Sequence, residues 1–129
     1  MTGKMVMELD DNKWESIVGK GDRPAAVMFY NPLCPHCIAM MPYFEKYATE
    51  FGDKVTFARI DVAKNPNSVA KYGIMGTPTF KFFCGGRPVQ EIVGAAYPTL
   101  IKKFTEETLQ HGRDCSSKST PIDYELGYA

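Results

Sequence analysis

The chain has 129 residues, 44% of them hydrophobic, 12% aromatic and 23% charged, which suits one globular domain with a real core. Fifteen basic residues balance fifteen acidic ones, so no net field would draw nucleic acid or an anionic membrane surface. No apolar run approaches the roughly 20 residues of a spanning helix. Residues 1–10 mix Lys4, Glu8 and Asp10 with single apolar residues and carry no signal-peptide pattern, so the expected compartment is the cytoplasm. Thiols there are kept reduced, so a close cysteine pair points to redox or metal chemistry before structural cross-linking.

In chain order, Met5 to Leu9 alternates weakly and predicts a short edge strand. Asp10 or Asp11 is the expected N-cap of a helix with Trp14, Ile17 and Val18 on one face. Gly19, Gly21 and Pro24 break it. Ala25 to Tyr30 (AAVMFY) is a continuous apolar run, the mark of a strand buried on both faces. From Cys34 the apolar residues fall at Cys37, Met40, Met41, Phe44, Tyr47, Ala48 and Phe51, a helical stripe interrupted by Pro42. Val55 to Val62 predicts the next strand. Ser68 to Tyr72 predicts about one helical turn before Gly73. Thr79 to Cys84 and Val89 to Val93, joined across Gly85-Gly86, read as a hairpin. Pro98 opens a last helix with Leu100, Ile101, Phe104 and Leu109 on its apolar face, ending at His111-Gly112.

Strands joined through helices imply parallel crossovers, and the hairpin adds an antiparallel pair. The expected fold is α/β, a central mixed sheet with helices on both faces. It spans residues 1–112. Residues 113–129, with a polar run from Ser116 to Pro121, are expected to form a C-terminal tail; a strap docked on the domain is the other reading.

Cys34-Pro35-His36-Cys37 lies where a buried strand hands over to a helix. Three residues apart at a helix start, both side chains point the same way, close enough for a disulfide. Free N–H groups and the helix dipole favour a thiolate at Cys34, the expected nucleophile. Cys37, one turn in and more buried, is placed to attack a mixed disulfide formed on Cys34. Pro35 rigidifies the first turn. A protonated His36 would favour the thiolate and make the disulfide a stronger oxidant. No Asp, Glu, Lys or Arg occurs from Tyr30 through Tyr43, which predicts a neutral, apolar rim with His36 as its electrostatic control. The alternatives are a zinc half-site, which would need two more ligands, and an inert structural disulfide. His111 is read as structural or solvated.

These residues resemble the thioredoxin family. The resemblance covers roughly residues 5–111, through AAVMFY, CPHC, Pro42, KYGIMGTPTF and EIVGA. It implies thiol–disulfide exchange on protein substrates with no metal or bound cofactor, and a cis peptide before Pro78. It also implies a substrate groove bounded by Thr77 and Pro78, with Gly94 on another wall; Leu33 and Met75 would add apolar contact. The chain departs from the family in several places. Leu33 stands where the family carries Trp, Pro35-His36 where it carries Gly-Pro, and Ile38 where it carries a basic residue. The family's buried acid falls on Met28, so deprotonation of Cys37 would need another base, water or His36. Arg59 aligns with a basic residue of some relatives and otherwise reads as a solvent-facing strand residue. Cys84 reads as a bystander thiol, and Cys115 as a bystander or a third redox thiol.

The expected function is a cytoplasmic, monomeric thiol–disulfide oxidoreductase that reduces disulfide-containing protein substrates. A thioredoxin-reductase-like enzyme or another dithiol donor would reset it. The alternatives are a disulfide-forming oxidant or isomerase, and a binding module that uses the same groove without turnover.

Overall fold

A computed structural model describes residues 6–20, 23–94 and 97–110. Its centre is the apolar run read above: Ala25–Tyr30 is strand β2, whose first five residues are fully buried. Around it lie β1 (Val6–Leu9), β3 (Thr56–Asp61), β4 (Thr79–Cys84) and β5 (Arg87–Val93). The five-stranded order is β1-β3-β2-β4-β5. β3 runs parallel to both β1 and β2, while β4 is antiparallel to β2 and β5 to β4. The sheet is therefore mixed, as the alternation of strands and helices predicts.

Strand alternation sends neighbouring residues to opposite faces. Ala26, Met28, Phe80 and Phe82 pack on one face under α1 (Pro35–Phe51) and α3 (Pro98–Gln110), through Cys37, Met40, Phe44 and Ile101. Ala25, Val27, Phe29 and Phe83 pack on the other, against Trp14, Val18 and, from α2 (Pro66–Tyr72), Tyr72. Trp14 anchors that second cluster, with ring contacts to Phe29, Tyr72 and Phe83. Truncating such an aromatic costs about 3–5 kcal/mol. The expected helix over Trp14–Val18 is a short π-helix, Glu15–Gly19, closed by Lys20 N–H donating to the Glu15 carbonyl at 2.7 Å. Asp10 does not cap this helix, whose N-cap is Trp14 without a side-chain bond; it closes the turn before it, accepting from Lys13 N–H at 2.8 Å. Asp11 serves α2 instead: its carboxylate accepts from Ser68 N–H at 2.9 Å and Ser68 Oγ at 2.7 Å. That help explains why α2 begins at Pro66 rather than Ser68.

β5 begins two residues before the expected Val89. Phe82 pairs with Gln90 but Phe83 with Pro88, so Val89 is the extra residue of a bulge, which lets a proline enter the strand. Gly86, at φ +83°, turns the hairpin, and a Cβ there would lie 2.4 Å from the Gly19 carbonyl oxygen. Cys84 corrects the sequence reading. It is disulfide-bonded rather than a bystander thiol; long-range connectivity cannot be read from spacing. Met5, His111, Gly112, Cys115 and the tail over 113–129 lie outside the described residues. Among the described residues, no helix is long and apolar enough to cross a membrane.

Candidate active site

The site sits at the carboxyl end of β2. Asn31 folds the chain back: its side-chain oxygen accepts from Leu33 N–H at 2.9 Å and its carbonyl from Cys34 N–H at 3.0 Å. Cys34 is then the N-cap of α1 in extended geometry, and Pro35 occupies the first turn, where its missing N–H costs nothing. Cys34 is partly exposed and Cys37 is 2% exposed; both are free thiols.

The Cys37 backbone N–H donates to Cys34 Sγ at 3.3 Å. As a thiol, Cys34 donates in turn to the Thr77 carbonyl at 3.7 Å. Burial disfavours the Cys34 thiolate. Hydrogen bonds from the Cys37 thiol, the Thr77 side chain and the backbone N–H groups of Cys37 and His36 outweigh it and hold the thiol below its ordinary pKa. Burial pushes the Cys37 thiol up, and its hydrogen bond and charge repulsion with Cys34 add to this. One helix start thus separates two identical side chains into a partly exposed thiol that ionises more readily and a buried one that ionises less readily. His36 acts here through its backbone N–H, while its side chain is exposed.

Facing the pair is the Gly76–Thr79 loop. Its Thr77–Pro78 peptide is cis, as the resemblance implies. Thr79 Oγ1 donates to the Gly76 carbonyl at 2.7 Å, and Gly94 N–H donates to the Pro78 carbonyl at 2.7 Å. The Gly94 contact joins two residues that sequence reading placed on separate walls. Gly94 has φ +90°, which explains the glycine, and a Cβ there would meet nothing within 4 Å, so the space beside it is open. Leu33, next to Cys34, is 86% exposed, and Met75, two residues before Thr77, is 92% exposed.

The neutral rim needs correction. A cleft of about 440 Å³ opens beside Cys37, between Tyr30, Pro32, Ile38, Met41 and Arg59. Arg59 is not simply a solvent-facing residue. Its Nη1 donates to Met41 Sδ at 3.5 Å, its guanidinium lies 5.0 Å from the Tyr30 ring centre, and its Nε pairs with Glu8 at 2.6 Å. The Tyr30 hydroxyl donates to the same Glu8 carboxylate at 2.7 Å. Burial, then the Glu8 hydrogen bond and charge, push the Tyr30 phenol up to about 12. Tyr30 is therefore held neutral and is no base for Cys37. Glu8, Arg59 and Met28 form one row across β1, β3 and β2. Met28 is fully buried in the core that also contains Cys37. The carboxylate in this row stands at the sheet edge rather than beneath the pair. Strand order brings it there, and the alternation of each strand alone does not reveal it.

The Thioredoxin family profile matches residues 5–107. This chain belongs to the thioredoxin family. It is 39% identical over 104 residues to a thioredoxin of Alicyclobacillus acidocaldarius subsp. acidocaldarius, covering 81% of this chain and 98% of that one. It is 34% identical over 102 residues to the thioredoxin of Rhodospirillum rubrum, covering 79% of this chain and 98% of the relative. Among solved structures, the Malassezia sympodialis thioredoxin Mala s 13 superposes with a TM-score of 0.71 at 30% identity, over 86% of this chain and 93% of the other. The fold is the thioredoxin fold, and thioredoxin membership makes the chain a thiol–disulfide oxidoreductase in class.

Proposed function

We propose that the chain reduces protein disulfides through Cys34 and Cys37. The observation that carries the reading is the difference between the two thiols. Cys34 is partly exposed and lowered in pKa, while Cys37 is buried and raised. The Cys34 thiolate attacks one sulfur of the substrate disulfide, and the other leaves as a thiolate. Cys37 loses its proton to water and attacks Cys34 Sγ, releasing the second substrate thiol and leaving a Cys34–Cys37 bridge. Two electrons pass to the substrate. A thioredoxin-reductase-like enzyme or another dithiol donor returns them. No metal or bound cofactor takes part.

Leu33, Met75, Thr77, Pro78 and Gly94 bind the substrate chain. The exposed side chains of Leu33 and Met75 give apolar contact, and the Thr77–Pro78 backbone offers an extended edge to a peptide. A reducing compartment such as the cytoplasm suits this direction. Pro35-His36 favours a second reading, a disulfide-forming oxidant or isomerase, because a stabilised thiolate makes a more oxidising pair.

Equilibration with glutathione buffers decides between the two. A potential near the roughly −270 mV of thioredoxin supports the reductase, and one near roughly −120 mV supports the oxidant. Insulin reduction by the full chain with dithiothreitol is expected, with loss in Cys34→Ser. Unchanged turnover in that variant rejects the proposal.

A further inference from the structure

β2 has β4 on one side and β3 on the other. β4 begins at Thr79, directly after the Thr77–Pro78 loop, and Thr79 pairs with Phe29. β3 brings Arg59 beside Met28. The loop and Arg59 therefore flank the Cys34–Cys37 segment from opposite sides of β2. Register partners share a sheet face, so Arg59 lies on the face that α1 covers and reaches Met41 there. We infer that the cleft on this β3 side is a second substrate pocket. It takes an acidic side chain of the protein being reduced, and Arg59 is the residue that reads it. This rests on the reductase reading above and gives that reaction a substrate preference.

The chemistry of the walls selects the occupant. The cleft holds about 440 Å³, within the roughly 300–1,000 Å³ of small ligand pockets. Pro32, Ile38, Met41 and Pro42 give it apolar walls, and Arg59 is the one charged residue among the described residues that line it. Ile38 is 62% exposed, so it offers apolar surface to an incoming side-chain stem. The Arg59 Nε pairs with Glu8, which stands outside the cleft lining. Toward α1, Nη1 donates to the Met41 thioether at 3.5 Å, a weak acceptor. A carboxylate entering the cleft replaces that contact with a charge-assisted hydrogen bond. The Arg59 side chain is 35% exposed, so the new pair is screened less than one on open surface. A lysine or arginine would meet like charge. A purely apolar side chain would cover the guanidinium without giving it an acceptor. Glutamate, with a methylene stem and a terminal carboxylate, matches both the walls and the cation.

The test uses the reduced full chain, freed of reductant, and synthetic peptides each cyclised by one disulfide. In an otherwise uncharged sequence, glutamate, glutamine or lysine is placed in turn at each of the two positions on either side of one cysteine. Second-order rates of peptide reduction are read by chromatography after acid quench. Each is divided by the rate of dithiothreitol with the same peptide, which removes differences in intrinsic reactivity. At one position or more, the glutamate peptide should react about tenfold faster than its glutamine twin, and the lysine peptide more slowly than either. The advantage should shrink with added salt. In Arg59→Gln the glutamate and glutamine twins should react alike. In Arg59→Glu the lysine peptide should become the faster one, a gain that misfolding cannot produce. Equal rates for the twins at every position in the wild-type chain would overturn the pocket and leave the reductase reading standing. An advantage for glutamate that persists in Arg59→Gln would do the same. Reduction of none of the peptides would overturn both.

Discussion

The backbone N–H of Cys37 donates to Cys34 Sγ at 3.3 Å. Four hydrogen-bonding groups favour the Cys34 thiolate, whereas burial and Cys34 itself disfavour ionisation of Cys37. Alkylation of the reduced chain should therefore begin at Cys34, with a midpoint below the ordinary cysteine value of 9.0. Cys37 should stay unmodified until higher pH. Peptide mapping of iodoacetamide-treated samples across a pH series checks both statements.

Thr77 touches both sulfurs electrostatically, since its side-chain hydrogen bond favours each thiolate. Thr77→Val keeps the branched shape and removes the hydroxyl. A hydrogen bond to a charged group is worth about 1.5 kcal/mol, close to one pKa unit. The Cys34 alkylation rate at neutral pH should fall by up to about tenfold, with a parallel upward shift of its pH profile.

Glu8 accepts from Tyr30 and pairs with Arg59. Glu8→Gln should bring the Tyr30 phenol down from about 12 toward its ordinary value of about 10. Ultraviolet titration of phenolate absorbance reads this directly. The ion-paired side chains are 35% and 49% exposed, so the stability loss should stay below about 1 kcal/mol.

Asp11 gives α2 a remote cap, and Asp11→Ala should cost about 1 kcal/mol in denaturant unfolding. Slight burial raises the Asp11 pKa, but hydrogen bonds from Ser68 and Asn67 outweigh it and leave the folded value lowered. The associated stability is fully present above the ordinary value of about 3.8. It is lost as pH falls through the folded value. The difference between wild type and Asp11→Asn should shrink over that acid window.

Local features of the sequence locate most of this site. AAVMFY marks the central strand, and a cysteine pair at the next helix start marks the chemistry. What escaped sequence reading depends on strand order. Glu8 and Arg59 are 51 residues apart and become neighbours only because β1 pairs with β3. Until then the segment around CPHC reads as uncharged. The bonded state of Cys84 is equally non-local. Pro88 hid the start of β5, because a proline in a strand is tolerated only with the bulge that the fold supplies. The groove proposed at Thr77, Pro78 and Gly94 rests on the family resemblance rather than on any pattern of these residues themselves.

The central claim is that Cys34 attacks and Cys37 resolves, and trapping measures it most directly. A disulfide-bonded protein substrate is incubated separately with the reduced Cys37→Ser and Cys34→Ser variants, then quenched in acid. Cys37→Ser should accumulate a mixed disulfide at Cys34, and Cys34→Ser should trap little or none. Equal trapping through Cys37 in the Cys34→Ser chain would contradict the assignment.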